Sequence, residues 1–263
     1  MDLTTLIGLI IGFGGVIGGF ILEGGHFGSL FVGSSGAIVM GGTIGAVTIS
    51  FGYAELKTIP GFLKAIFTEH SIDFGGSVEH LVETADRARR EGLLSLESHL
   101  SEIDNDFMRR GLQLVIDGTD PELTRNMLEM EITAYEQSQN LGVEIFNSAG
   151  GFAPTMGIVG TVMGLVHVLG NIQDPDTLGP AIASAFLATL YGIATANLLW
   201  IPFATKLKTK TARQVSLMEL ILEGVLSVQA GENPRVIREK LLTFLPDREK
   251  ETLLENEAVG IGM

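Results

Sequence analysis

The sequence predicts an all-α membrane protein: four transmembrane helices, with a helical cytoplasmic domain between the second and third spans. Three observations carry this prediction. Four long stretches contain no Asp, Glu, Lys or Arg. Every Lys and Arg falls in one of two blocks outside those stretches. The remaining segments show helix caps and helically spaced apolar residues, without a run that alternates as a strand does.

The first stretch runs from Leu3 to Leu22 between the charges of Asp2 and Glu23, close to the ~20 apolar residues that a helix needs to cross a bilayer. Its glycine-rich centre, GFGGVIGGF at 12–20, superficially suggests a phosphate-cradling loop. The dinucleotide fingerprint G-x-G-x-x-G fails there, because Ile17 stands where the third glycine is required. The pairs Gly8/Gly12, Gly14/Gly18 and Gly15/Gly19 instead have the spacing that lets membrane helices approach closely. The second stretch, Phe27 to Ala54, carries a Gly41/Gly45 pair of the same kind. The third, Ile145 to Gln173, is interrupted only by His167, an interfacial histidine near one end. The fourth, Thr177 to Thr205, ends in WIPFAT before Lys206. One such segment could be a soluble core helix; four in 263 residues argue for a membrane.

Charge sets the orientation. Eight of the 17 Lys and Arg lie between Lys57 and Arg125, and nine between Lys206 and Lys250. The short loops around Glu23–His26 and 171–176 have none. Positive residues stay inside, so both short loops face outward, and the termini and the middle segment are cytoplasmic. Tyr53 and Trp200 sit at the inner ends of the second and fourth spans, where aromatic belts form. The expected organisation is spans one and two in 1–54, the helical domain in 55–144, spans three and four in 145–205, and a helical extension and tail in 206–263.

Within the middle segment Val78, Leu81, Val82 and Ala85 recur at helical spacing, followed by Leu93, Leu94 and Leu96. Gly118 supplies a helix stop, Asp120 an N-cap and Pro121 a first-turn proline. Asn233 and Pro234 repeat that start signal, and Pro246 closes the segment. The fourth span meets no breaker after Lys206 until Gly224, so it continues as one long helix. Residues 251–263 read as a frayed end.

Composition removes whole classes of function. A net charge of −14 argues against nucleic acid as a partner. The absence of cysteine excludes disulfides, thiolate metal sites and cysteine nucleophiles. The carboxylates of the helical domain sit on charge-rich, solvated faces, so no enzyme is expected. The spans hold no ionisable relay of their own.

What the spans do hold is small residues with embedded hydroxyls. Gly157, Gly160 and Gly164 share a face of the third span, with Thr161 beside them. Ala181, Ala185, Thr189, Gly192 and Ala196 share a face of the fourth. These stripes suit either tight helix packing or a narrow polar lining that accepts another chain's helix. Pro154 and Pro202 each remove a backbone donor and suit a hinge.

Three motifs in these slots, ARREGLLSLE, APTMGIVGTVMG and AFLATLYG with Pro202 ten residues beyond, resemble the MotA family of flagellar stator subunits. GENPRVIREKLLTFLP in the tail extends the resemblance over nearly the whole chain. MotA stands with the TolQ and ExbB energisers, and four spans favour its flagellar branch; an ion-driven energiser of another envelope process is the alternative. The resemblance implies a multi-pass protein of the bacterial plasma membrane, surrounded by lipid. It implies a homopentamer around a MotB-like partner whose helix supplies the ion-binding aspartate, with the rotor protein FliG as the second partner. Thr155, Thr161 and Thr189 then border the ion path. Arg89 and Glu97 take the rotor-binding places, and Arg90, seven residues from Glu97, shares a helix face with it better than Arg89 does. No cofactor or bound metal is expected, only a transported cation, H+ or Na+. Thr161 resembles the sodium-driven branch, Thr189 is common to both branches, and Ala188 departs from the sodium pattern, which leaves Na+ slightly ahead.

Overall fold

The computed structural model describes residues 2–69, 72–170, 175–245 and 250–251. Residues 171–174 of the expected second outer loop, the stop at Pro246 and the end of the tail from 252 lie outside the described residues. Among the described residues every regular element is a helix. Four are long and apolar enough to cross a membrane: Leu3–Leu22, Phe27–Ser50, and stretches of Pro121–Gly170 and Leu178–Gln229. The chain is an all-α, multi-pass membrane protein. Its backbone divides into two compact units, Met1–Glu69 with Ser138–Thr209, and His70–Gln137 with Lys210–Met263.

In the first unit α1 (Leu3–Leu22) starts at Asp2, whose carboxylate accepts the Thr5 N–H at 3.2 Å, the usual N-cap bond. A 3-10 turn (Phe27–Leu30) leads to α2 (Gly33–Ser50). That helix stops short of Ala54 because Phe51 turns to extended backbone. Short α3 (Tyr53–Leu56) and α4 (Ile59–Phe67) follow, with Pro60 in the first turn of α4. Lys57 lies 4.5 Å over the exposed Tyr53 ring. After α5 (Phe74–Glu91) and α6 (Asp106–Ile116) of the other unit, the long helix α7 (Pro121–Gly170) contributes its C-terminal part. Next come α8 (Pro175–Thr195), a π-helical segment (Ala196–Trp200) and the start of α9 (Ile201–Gln229). Phe62, Ile66, Phe146, Phe203 and Leu207 belong to one buried core that joins α4 to the spans. The Phe203 ring packs edge-on against Phe67 and Phe146.

The glycine pairs of the first two spans behave differently from the expectation of close packing. On α1 only Gly12 has a neighbour in reach, Leu198. The Gly14/Gly18, Gly15/Gly19 and Gly41/Gly45 pairs face open space within this chain, and the tightly packed glycine of α2 is Gly42, against Met156, with Gly36 in ordinary contact with Tyr191.

In the second unit α5 (Phe74–Glu91) is capped by Asp73 and buries Val78, Leu81 and Ala85. It ends at Gly92, whose φ of +89 suits glycine. Leu93–Glu102 then forms a 3-10 helix rather than a continuation of α5. This overturns the shared-face argument for Arg90 and Glu97: the left-handed turn between them redirects the chain, so a seven-residue spacing no longer means two α-turns. Asn105 caps α6 (Asp106–Ile116). Gly118 has φ +71, and Asp120 accepts the Glu122 N–H at 2.9 Å, so the stop and start before α7 are those read from DGTDPELT. α9 runs straight through Gly224, where a Cβ would lie 2.4 Å from a Leu81 methyl. Gly224 is thus a close-approach position instead of a breaker. α9 ends at Gln229, and α10 (Pro234–Leu241) starts on the Asn233 cap and packs on α5. Leu81, Leu112, Leu220, Ile221 and Ile237 are fully buried in this unit's core.

At the rim of that core Glu223 on α9 accepts from Arg125 on α7 and Lys240 on α10, each at 3.0 Å. Burial pushes its carboxyl up, but the hydrogen bonds and charges of Lys240 and Arg125 outweigh this and hold it below the usual carboxylate range. A carboxyl depressed in the folded state stabilises above its unfolded pKa, and that contribution is lost as pH falls. Glu223→Gln is therefore expected to lower the thermal midpoint of the detergent-solubilised protein at pH 7, by a loss of about 2 kcal/mol. The gap to wild type closes as pH drops below about 4. An equal gap at both pH values contradicts the assignment.

Candidate ion path and hinge

α7 and α8 meet through small residues at a distance that excludes a methyl group. A Cβ on Gly157 would lie 2.9 Å from the Ala188 carbonyl oxygen, and one on Gly192 would lie 2.5 Å from the Ala153 oxygen. Gly160 and Gly164 face Ala188 and Ala185 in the same way. The two predicted stripes therefore face each other. This corrects the alternative in which they accept a helix from another chain: in this fold their own partner fills them. The surfaces α7 and α8 leave exposed are apolar instead, with Ile158, Val159, Val162 and Val166 on one and Ile182, Phe186 and Ile193 on the other.

Two of the predicted hydroxyls are brought together inside this contact. Thr161 Oγ1 bonds Thr189 Oγ1 and lies 2.9 Å from the Ala185 oxygen and 3.1 Å from the Gly157 oxygen. Thr161 Oγ1 thus makes three oxygen contacts, for which the two threonines have two hydroxyl protons between them. Such a set of hydroxyl and carbonyl oxygens is the ligand type a hard cation takes. Thr155 does not join it. It is exposed, bonds back to the Phe152 oxygen at 2.7 Å, and lies along the apolar stripe of Ile158 and Val162.

Tyr191, which no motif singles out, ties helices together at this site. Its hydroxyl donates to the Leu30 carbonyl and accepts the Val32 N–H at 3.0 Å, tying α8 to the start of α2. Ser35 on α2 donates to the Ser184 carbonyl at 2.8 Å beside it. The available signal was a lone tyrosine in an otherwise non-aromatic span face, as ATLYG shows.

The prolines stand at two related breaks. Pro154 lies inside α7, directly against Gly192. Pro202 follows the π segment, in which the Ile201 N–H reaches five residues back to the Ala196 oxygen. A π turn absorbs the missing proline donor and is a usual place for a helix to bend. Gly150 of α7 abuts Ile201 and Trp200 at the same break. His167 is exposed near the C-terminal end of α7.

In the second unit Arg89, Arg90 and Glu97 are all exposed. Arg90 pairs with Asp86 one turn back, whereas Arg89 and Glu97 form no ion pair among the described residues. Among the described residues no cluster of three or more His, Asp or Glu could hold a metal ion.

Residues 6–92 match the motility protein A N-terminal family, and residues 99–220 match the MotA/TolQ/ExbB proton channel family. The chain belongs to the MotA/TolQ/ExbB family. It is 41% identical to motility protein A of Bacillus subtilis, over 95% of this chain and 93% of that one. It is 36% identical to motility protein A of Borreliella burgdorferi, over 99% of both chains. Among solved structures it is similar to the flagellar MotAB stator complex from Bacillus subtilis, with a TM-score of 0.90 and 40% identity over 95% of this chain and 99% of that one. These relatives place it in the motility branch of the family rather than among the envelope energisers.

Gly192→Ala is expected to destabilise the solubilised protein by about 1–3 kcal/mol, because the Ala153 carbonyl cannot yield as a side-chain tip can. Gly151→Ala, where a Cβ meets nothing within 4 Å, is the control and should melt at or above the wild-type temperature. Equal melting of the two variants contradicts the packing described.

Proposed function

We propose that this chain is the stator subunit of a flagellar motor, assembled as a homopentamer around a MotB-like partner in the bacterial plasma membrane. Its termini and its helical domain face the cytoplasm, and it performs no enzymatic reaction. The observation that carries the reading is a family of ion channels realised here with spans that contain no carboxylate. Ions cross where an ionisable side chain relays them, so the titrating aspartate belongs to the partner. This chain supplies the wall around that aspartate, built on the α7–α8 contact in which the Thr161 and Thr189 oxygens meet.

The cation is H+ or Na+. A proton needs only the partner's carboxylate and water, whereas Na+ seeks several oxygen ligands. The Thr161–Thr189 oxygen set supports Na+, and Ala188, buried against Gly160, leaves no room for a further hydroxyl ligand there. Thr155, on the exposed face, would meet the ion only from the side turned to the partner. Pro154 and Pro202 serve as hinges that let the inner helices change angle as the ion is loaded and released.

For the rotor contact with FliG, Arg89 and Glu97 are the favoured pair. They are exposed and form no ion pair among the described residues, while Arg90 is engaged by Asp86, although an exposed pair of that kind holds it by only ~0–1 kcal/mol.

One motility assay tests the reading. Expressed with its partner in a strain lacking its own stators, the chain should restore swimming, with speed rising with external Na+ at fixed pH. Thr161→Ala should weaken that dependence, and Arg89→Glu should keep the complex in the membrane but abolish most rotation. No swimming from the wild type rejects the stator function. Speed independent of Na+ makes it a proton motor in which Thr161 is a packing residue.

A further inference from the structure

The N-terminal turn of α1 holds a charge cluster that the ion path leaves unused. Asp2 is only 7% exposed. Its Oδ2 lies 2.8 Å from Lys206 Nζ, and its Oδ1 accepts from Thr4 Oγ1 at 2.7 Å besides capping α1. Lys206 also donates to Thr4 Oγ1 at 2.9 Å. The Asp2 backbone N–H donates to the Phe67 oxygen at 2.8 Å, at the end of α4. One residue therefore ties the start of α1, the end of α4 and the first turns of α9 to a single point.

The position of that point matters. Lys206 stands one helical turn beyond Pro202, and so just past the π segment. Alongside lies an open cavity of about 390 Å³, lined by Thr4, Thr5, Asn197, Leu198, Pro202 and Phe203 among others. Thr5 Oγ1 is buried next to it with no hydrogen-bond partner among the described residues. Close-packed interiors resist bending, but a helix broken by proline beside an open groove has a loosened hydrogen-bond ladder and no close packing from its own chain on that side. A hinge transmits motion only when one of its arms is held. A carboxylate as buried as Asp2 demands its cation, so separating the pair is costly.

We propose that Asp2 and Lys206 are positioning residues for ion-driven rotation: a latch that fixes α9 to α1 and α4 below the Pro202 break, so that bending there swings α8 and leaves α9 in place. The proposal rests on the stator reading and on Pro202 as its hinge. Without the latch the complex assembles and binds its ion, but part of each stroke is lost as slack in α9.

The test uses the full chain expressed with its partner in a strain without stators, scoring tethered-cell rotation, membrane level and recovery of the partner on purification. Asp2→Asn and Lys206→Met should each more than halve the rotation speed at unchanged level and recovery. Asp2→Glu should keep more than half of it. In a Pro202→Ala background Asp2→Asn should slow rotation no further, since the hinge it serves is already gone. Asp2→Asn rotating at wild-type speed, additive effects with Pro202→Ala, or loss of the complex in Asp2→Asn overturns the latch while the stator reading stands. A wild-type chain that never rotates overturns the stator reading and the latch with it.

Discussion

Between Gly157 and Gly192 the backbones of α7 and α8 touch, with a carbonyl of each helix where a methyl group of the other would have to go. Membrane helices gain little from hydrophobic burial against each other, since lipid is equally apolar, and depend on such close approach instead. Around this contact the rest of the first unit is arranged. It brings Thr161 and Thr189 into one oxygen cluster, sets Pro154 against Gly192, and turns the bulkier Ile158, Val162, Phe186 and Ile193 outward. The Tyr191 and Ser35 bonds then fasten α2 onto the outer side of α8. A larger residue at either glycine would separate the helices and dissolve all of these together.

Charge is kept to the ends of this arrangement. Asp2 caps α1 and pairs with Lys206. In the other unit Glu223 gathers Arg125 and Lys240 from two further helices. A pair with a buried member, such as Asp2, is a poor source of stability compared with apolar packing, but it penalises any arrangement that separates the two charges. Pro154, Pro202 and the π segment, by contrast, mark where the backbone ladder is already interrupted and bending is cheapest.

Much of this was legible in the sequence. The spans follow from uncharged stretches, since any charge in lipid is costly, and the caps at Asp120 and Asn233 follow from side chains that satisfy free backbone donors. The facing stripes of α7 and α8 were visible as spacing, but whether their partner lay in the same chain was not, because a stripe of glycine specifies a distance and not an identity. The turn at Gly92 was missed because RREGLLSLE has helical composition throughout, and only a positive φ at one glycine redirects it. Gly224 failed in the opposite direction: it was read as a stop, yet tertiary contact with Leu81 explains it. Asp2 was passed over as the boundary of a span, because its partner Lys206 is remote in sequence and no local pattern links them.

In the proposed function this chain builds the wall of an ion path and leaves the ion-carrying carboxylate to its partner. Flux into liposomes measures this directly, with the purified chain reconstituted alone and together with its MotB-like partner under the same applied gradient. The account predicts no cation flux from the chain alone and flux that appears with the partner and vanishes when the partner's membrane aspartate is replaced by asparagine. Sustained H+ or Na+ flux through the chain alone would contradict it.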